Sequence, residues 1–133
     1  MPASTESNNP ASCLAPCPRT PNCVSTLAPP GPKQMDPIPY AGSPGETRER
    51  LLAVLRSLER TTIVKEEKSY VHAVCRSRIF RFPDDVEIVF DDEARQIHFR
   101  SAARYGIRDF SVNRTRMERI RRDYLLSCPP DRR

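Results

Sequence analysis

The sequence is poor in the features on which nucleotide-binding and membrane-spanning proteins depend. It contains only four glycines, Gly31, Gly42, Gly45 and Gly106. A P-loop or a dinucleotide-binding fingerprint needs several glycines at fixed short spacings, which these four do not provide. No apolar run reaches the roughly 18 residues that a transmembrane helix needs. The sequence therefore predicts no cofactor and no membrane span.

The N-terminal segment also lacks the features of a secretory signal. MPASTESNNPASC has neither a basic n-region nor an apolar h-region. We therefore expect the protein to stay in the cytoplasm, where cysteines remain mostly reduced.

Charge and proline are unevenly distributed along the 133 residues, which have room for one domain. The net charge of +5 is C-terminal in origin, because residues 94–133 carry eleven basic and four acidic side chains. Eleven of the fourteen prolines lie within the first 44 residues, where they favour extended or irregular backbone. The predicted organisation is a disordered tail (1–12), a proline-rich extended arm (13–43), an α+β domain (44–128) and a short tail (129–133).

The first regular element of the predicted domain is an amphipathic helix over residues 44–60. It begins with SPGE, where Ser43 is the N-cap, a proline follows, and Glu46 completes a capping box. Apolar side chains then recur at helical spacing and should face the core. They are Leu51, Val54, Leu55 and Leu58.

Four segments rich in β-branched and aromatic residues follow, and they predict two hairpins. TTIVKEE and SYVHAVCRS flank the charged turn KEEK, and alternation in DVEIVFDDEARQIHFRS indicates two further strands around DDEA. Because short turns join antiparallel neighbours, the four strands should form one antiparallel sheet. The residues expected on its core face are Val86, Ile88, Phe90, Ile97 and Phe99.

A second helix is predicted to begin at Asn113, with Val112 packing on Met117 as a hydrophobic staple. Its buried stripe is Met117, Ile120 and Tyr124. The predicted fold class is therefore α+β. It is a four-stranded antiparallel sheet with one N-terminal and one C-terminal helix on its apolar face, preceded by the proline-rich arm.

Four sequence blocks, in this order and spacing, resemble the domain of unknown function 1499 family over residues 16–126: CPRTPNCVS, FPDDVEIVF, RSAARYGIRDF and NRTRMERIR. That family comprises uncharacterised proteins of bacteria and photosynthetic eukaryotes, many of them exported or plastid-targeted. The resemblance implies no reaction. The positions that match the family blocks are Cys17, Pro21, Asn22, Cys23, Asp84, Asp85, Glu87, Arg100, Ser101, Arg104, Gly106, Asp109, Asn113, Arg114, Arg116 and Glu118.

The two cysteines of CPRTPNC allow three interpretations: a disulfide, part of a metal site, or two unreacted thiols. We favour the structural interpretation, in which CPRTPNC is a turn that attaches the arm to the domain. A disulfide between Cys17 and Cys23 would close this small loop where the environment is oxidising, and it would be mostly open in a reducing cytoplasm. Zinc would need Cys13 and either His72 or His98 as further ligands, at spacings unlike those of zinc sites. We therefore predict no metal site. The remaining cysteines are predicted to be a core residue, Cys75, and a tail thiol, Cys128.

The stretch RSAARYGIRDFSVNRTRMERIRR contains eight arginines and only two carboxylates. Strand alternation sets Arg100 opposite Asp85 or Glu87, which favours an internal ion-pair network. Arg114 and Arg116 fall in the first turn of the predicted second helix, where the helix dipole opposes them and an anion should compensate. The compensating groups are Asp84, Asp85, Asp109 or a bound phosphate or carboxylate.

These patterns favour a small domain that binds or scaffolds and does not catalyse, with an unknown small anion or a protein as its partner. An enzyme on the same polar face is the alternative, and it requires a pocket that encloses Asp85, Arg100 and Arg114. No catalytic residue is assigned. The candidate ligand-binding residues are Asp84, Asp85, Glu87, Arg100, Arg104, Asp109, Asn113, Arg114 and Arg116.

Nucleic-acid binding is not favoured by the sequence. The predicted outer face of the sheet has no row of aromatic side chains on which bases could stack. A nonspecific binder could still use the C-terminal helix, provided that Arg119, Arg121 and Arg122 are unpaired.

Overall fold

The computed structural model describes residues 14–18, 22–105 and 110–129, with only the backbone described at Phe110. The predicted disordered tail, Asp109 and most of the C-terminal tail lie outside these residues. The helices of the described chain are α1 (Pro44–Ser57) and α2 (Phe110–Ser127), and neither is long and apolar enough to span a bilayer. The strands are β1 (Cys23–Ser25), β2 (Ile38–Pro39), β3 (Thr61–Glu66), β4 (Tyr70–Arg76), β5 (Pro83–Asp91) and β6 (Gln96–Ala103).

Helix α1 begins with the predicted capping box. The Ser43 hydroxyl accepts a hydrogen bond from the Glu46 N–H at 3.1 Å, and the Glu46 carboxylate accepts one from the Ser43 N–H at 3.0 Å. These contacts occupy two N–H groups that the start of a helix leaves unpaired. The helix ends at Ser57, before the predicted residue 60, because Leu58 adopts an extended backbone.

The strands form one antiparallel sheet in the order β1, β6, β5, β4, β3, and β2 pairs with the same edge of β6 as β1. The two predicted hairpins are confirmed, but the prediction of four strands is wrong, because the proline-rich arm adds β1 and β2. These short strands form where β6 offers backbone partners. Pro39 is tolerated in β2 because it lies at the edge of the sheet, where a missing N–H costs little.

Both helices pack on one face of the sheet and enclose the core. The predicted apolar stripes of the helices are buried there against the core face of the sheet. The Tyr124 hydroxyl also accepts a hydrogen bond from the Ala41 N–H at 3.0 Å, which fixes the end of the arm to α2. The fully buried side chains of this layer include Leu51, Leu55, Val71, Ile88, Ile97, Phe99, Met117, Ile120 and Tyr124.

Helix α2 begins earlier than predicted, at Phe110 and not at Asn113. Asn113 is therefore a buried residue inside the helix, and it is not an N-cap. Arg114 and Arg116 lie beyond the first helical turn, where the dipole effect has faded. The premise that the helix dipole opposes these two arginines is wrong.

The two cysteines outside the arm are both buried. The predicted core position of Cys75 is confirmed. Cys128 was predicted to be a tail thiol, which is wrong, because it is only 2% exposed. The end of α2 brings the Cys128 thiol within 3.3 Å of the Tyr124 carbonyl oxygen, to which it donates.

Candidate functional site

The β5–β6 hairpin directs neighbouring carboxylates to opposite sides of the sheet. Because side chains alternate along a strand, Asp84 shares the helix side with Val86, whereas Asp85 and Glu87 point to the opposite side. The predicted ligand-binding residues are therefore divided between the two sides. We call the side opposite the helices the outer face, and its polar residues include Tyr70, His72, Asp85, Glu87, Arg100 and Arg104.

Glu87 and Arg100 form a shielded ion pair on the outer face. They are direct cross-strand partners, and the Arg100 Nε lies 2.8 Å from a Glu87 carboxylate oxygen. The other Glu87 oxygen accepts a hydrogen bond from the Tyr70 hydroxyl at 2.5 Å. The side chains of the pair are only 16% and 13% exposed. The prediction that Arg100 faces Asp85 or Glu87 is confirmed, with Glu87 as the partner.

Asp85 is held by an arginine and a histidine. Arg104 donates through Nη2 and Nε to the two Asp85 oxygens at 2.6 and 3.0 Å, and His72 Nε2 lies 2.8 Å from one of them. The hydrogen bonds from Arg104 and His72 hold the pKa of Asp85 below its usual value, although partial burial opposes this shift. His72 was not a predicted ligand-binding residue, since the sequence offered it only as an unlikely zinc ligand or as half of a dyad with Cys75 that strand alternation excludes.

On the helix side, a buried polar cluster joins α2 to the sheet and the arm. Arg116 donates through Nη2 to Asp84 at 2.7 Å and through Nη1 to Asn113 Oδ1 at 2.8 Å. The same Asn113 oxygen accepts from the Ser101 hydroxyl at 2.8 Å, and Asn113 Nδ2 donates to the Asn22 carbonyl at 3.0 Å. Asp84, Ser101 and Asn113 are fully buried. These polar groups are therefore hydrogen-bonded to one another inside the protein, as buried polar groups usually are.

Arg114 joins neither the outer face nor the buried cluster. Its Nη2 donates to the carbonyl oxygens of Pro32 and Gln34 at 2.6 and 3.0 Å. Of the partners predicted for Arg114, Asp84 pairs with Arg116 instead, and Asp109 lies outside the described residues. Arg114 therefore ties the arm to α2, and it does not complete the enclosed site that an enzyme on the outer face would require.

The outward-facing arginines of α2 also have partners within the described residues. Arg119 and Arg122 lie 3.7 and 3.1 Å from Asp123 carboxylate oxygens. Arg121 donates to the carbonyl of Asp36 in the arm. Because Arg119 and Arg122 share one carboxylate and Arg121 contacts a neutral carbonyl, the three charges are only partly neutralised, and the condition of three unpaired arginines is met only in part.

A disulfide joins Cys17 to Cys23 and so attaches the segment 14–18 to β1. The Arg100 Nη1 lies 3.9 Å from the Cys23 sulfur, at the border of the outer face. Because both sulfurs are bonded to each other, they are not available to zinc. No cluster of three or more His, Cys, Asp or Glu side chains suited to a metal was found in the described part of the chain.

The arm forms a half-open pocket of about 650 Å³ between residues 14–18 and 25–33, which we call the arm pocket. Small-molecule sites typically occupy about 300–1,000 Å³. Sequence reasoning missed this pocket, because the prolines of PPGP predict an extended segment without revealing what it encloses. The lining residues are Leu14, Ala15, Pro16, Cys17, Pro18, Ser25, Leu27, Ala28, Pro29, Pro30, Gly31, Pro32 and Lys33.

These features define a small α+β protein with a six-stranded antiparallel sheet and both helices on one face. Residues 13–124 match the family described as Protein of unknown function (DUF1499), and the chain belongs to that family. The predicted resemblance is thereby confirmed. Comparisons with curated proteins and with solved structures found no match.

Proposed function

We propose that the protein is a non-catalytic binding domain that holds a small amphipathic anion in the arm pocket. The observation that carries this proposal is the chemistry of the pocket wall, which is mostly proline and aliphatic carbon with one ammonium group, that of Lys33. Such a wall favours an apolar ligand body, and the ammonium favours a carboxylate, sulfonate or phosphate on that ligand. The proposal keeps the predicted small-anion partner and moves its site from the arginines to the arm.

Lys33 is positioned by a contact between the two walls of the pocket. Its Nζ donates a hydrogen bond to the carbonyl of Pro18. An ammonium group carries three donor hydrogens, so Lys33 can keep this contact and still donate to a ligand anion. The second polar group of the wall is the hydroxyl of Ser25, which accepts a hydrogen bond from the Leu27 N–H at 3.1 Å.

The outer face serves as the scaffold in this proposal. Arg100 and Arg104 are both paired with carboxylates, so an external anion would have to displace Glu87 or Asp85 to bind there. Ser25 is the cross-strand partner of Arg100 and also lines the arm pocket. The Glu87–Arg100 pair therefore supports the strand from which one side of the pocket is built.

Acid–base chemistry at His72 is the second candidate function, and its 2.8 Å contact with Asp85 favours it. A carboxylate in this position orients the imidazole ring. The His72 side chain is 27% exposed, so a substrate on the outer face could exchange a proton with it. This candidate places the substrate on the sheet and leaves the arm pocket without a role.

Titration with 1-anilinonaphthalene-8-sulfonate tests the proposal, because this probe combines an apolar body with one sulfonate. We expect saturable binding with one site per chain. Ala28→Phe places a ring in the arm pocket and should abolish binding, whereas Ala94→Phe, in an exposed turn, should not. Retention of binding in Ala28→Phe would refute the proposal.

The role of Lys33 is tested by comparing the sulfonate probe with uncharged N-phenyl-1-naphthylamine. Lys33→Met should weaken sulfonate binding by about tenfold, as expected for loss of a charge-assisted hydrogen bond, and leave the uncharged probe unaffected. NMR shifts confined to His72 and its neighbours during titration with candidate ligands would instead favour the second candidate.

A further inference from the structure

The loop that joins β4 to β5, residues 77–82, exposes large apolar side chains, and we call it the hairpin tip. Ile79 is 79% exposed, Phe80 73% and Phe82 46%. The rings of Phe80 and Phe82 stack with their centroids 5.5 Å apart. Single exposed apolar residues are ordinary, but three on one turn form a patch of the kind that marks an interaction surface.

The exposure of these side chains follows from how the turn is closed. The Ser77 N–H donates to the Phe82 carbonyl at 3.0 Å, and the Phe82 N–H donates to the Ser77 hydroxyl at 2.9 Å. The Arg76 guanidinium donates to the Arg81 carbonyl at 3.2 Å. These contacts close the turn at its base, and the apolar side chains of the loop are directed away from the core.

The hairpin tip and its flank are also basic. Residues 76–82 contain three arginines and no carboxylate. The guanidinium groups of Arg78 and Arg81 form no ion pair with any residue that the structure describes, and both side chains are exposed. They differ in this from Arg100 and Arg104, whose charges are neutralised on the outer face.

Tyr105 is a further exposed aromatic residue at the same end of the sheet. The Arg104 N–H donates to the Pro83 carbonyl at 3.0 Å, so the end of β6 lies beside the start of β5. Tyr105 follows directly and is 63% exposed. An exposed tyrosine combines an apolar ring with a hydroxyl, which suits the boundary between water and an apolar phase.

We propose that the hairpin tip docks on a membrane surface rich in anionic lipid. Ile79, Phe80 and Phe82 enter the boundary between headgroups and acyl chains, where aromatic side chains are favoured. Arg78 and Arg81 bind the lipid phosphates, to which their unpaired charges are complementary. A bilayer accepts a convex apolar turn without a preformed cavity, whereas a protein partner would have to supply both a matching cavity and acidic side chains. This inference goes beyond the proposed ligand function and does not depend on the arm pocket.

A tryptophan reporter gives a direct test, because the sequence contains no tryptophan. Phe80→Trp should show a blue-shifted fluorescence maximum on vesicles of phosphatidylcholine with roughly one-third phosphatidylserine, and little change on phosphatidylcholine alone. Leu126→Trp, at an exposed position near the end of α2, is the matched reporter and should not shift. An unchanged Phe80→Trp spectrum on the anionic vesicles would overturn the proposal.

Vesicle co-sedimentation separates the apolar and charged contributions. Phe80→Ser should weaken binding to the anionic vesicles by about tenfold, and Arg78→Gln and Arg81→Gln by about fivefold each at low salt. Leu126→Ser and Arg122→Gln are the controls and should bind like the wild type. Equal binding to neutral and anionic vesicles, or binding that Phe80→Ser leaves intact, would refute the proposal. Tip-dependent binding of a single-stranded oligonucleotide in preference to vesicles would also refute it and assign the tip to nucleic acid.

Discussion

The Arg116 Nη2 lies 2.7 Å from Oδ2 of Asp84, whose side chain is 1% exposed. This ion pair joins α2 to β5 within the layer between the helices and the sheet. The same guanidinium donates to the side chains of Ser101 and Asn113. Losing it would leave a buried carboxylate without its cationic partner, and this costs far more than losing an ion pair at the surface.

Arg116→Met should therefore lower the free energy of unfolding by about 3 kcal/mol or more. Arg119→Met is the matched control, because Arg119 is on the same helix and its side chain is 55% exposed beside Asp123. Loss of that surface pair should cost less than about 1 kcal/mol. Urea unfolding of both variants measures the difference, and similar losses would contradict a structural role for the buried pair.

Arg100→Met should cost about 1–3 kcal/mol of unfolding free energy, because it leaves the shielded Glu87 carboxylate without its cationic partner. The control is Arg104→Met on the same outer face, since the Arg104 side chain is 37% exposed. We expect Arg104→Met to cost less than about 1 kcal/mol. Chemical denaturation at neutral pH makes the comparison. If Arg100→Met retained wild-type stability, the internal ion-pair interpretation of the outer face would be wrong.

The decrease in the free energy of unfolding at acid pH should depend on Asp85. Arg104 and His72 lower the pKa of Asp85 in the folded protein. The ionised Asp85 therefore contributes its full stabilisation above the pKa of aspartate in the unfolded chain, about 3.9. This contribution is lost as the pH falls through the lower pKa of the folded protein. Asp85→Asn imitates the protonated carboxyl group. The stability difference between wild type and Asp85→Asn should therefore be constant near neutral pH and shrink as the pH falls below about 4. A difference that is unchanged or grows under acid would contradict this assignment.

Strand alternation was enough to predict that Arg100 faces Asp85 or Glu87 across the hairpin. The period of two is a property of the backbone, and the short β5–β6 turn fixes the register that sets Arg100 opposite Glu87. The contact between His72 and Asp85 could not be predicted in this way. It depends on the register of β4 against β5, which the longer loop 77–82 leaves open.

The other incorrect predictions concern features that depend on tertiary contacts. The strands β1 and β2 are three and two residues long, so they depend on the edge of β6 and carry almost no signal of their own. Asn113 has the chemistry of an N-cap, but its side chain bonds to Ser101 and the Asn22 carbonyl instead. Arg116 could not be paired with Asp84 from the sequence, because the packing of α2 on the sheet decides that contact.

The disulfide between Cys17 and Cys23 should contribute modestly to stability. The closed loop is short, so the Cys17→Ser/Cys23→Ser double variant should lose at most about 2 kcal/mol of unfolding free energy without reductant. Reduction of the wild type should produce the same loss, and the double variant should not respond to reductant. Thiol titration must show that the bridge was open in the reduced sample. If a fully reduced wild type were as stable as the oxidised protein, the bridge would contribute nothing to stability.

The same disulfide should matter more for ligand binding than for folding. Cys17 lies in the segment 14–18, which forms one wall of the arm pocket, and the bridge adds a side-chain link to β1 beside the short main-chain connection. Opening the bridge allows this wall to move away from residues 25–33, so ordering it again on binding would cost conformational entropy. We therefore expect the double variant and the reduced wild type to bind 1-anilinonaphthalene-8-sulfonate more weakly than the oxidised wild type, while the small loss of stability leaves the domain folded. Unchanged affinity after reduction would show that the segment 14–18 stays in place without the bridge, and that the arm pocket does not depend on it.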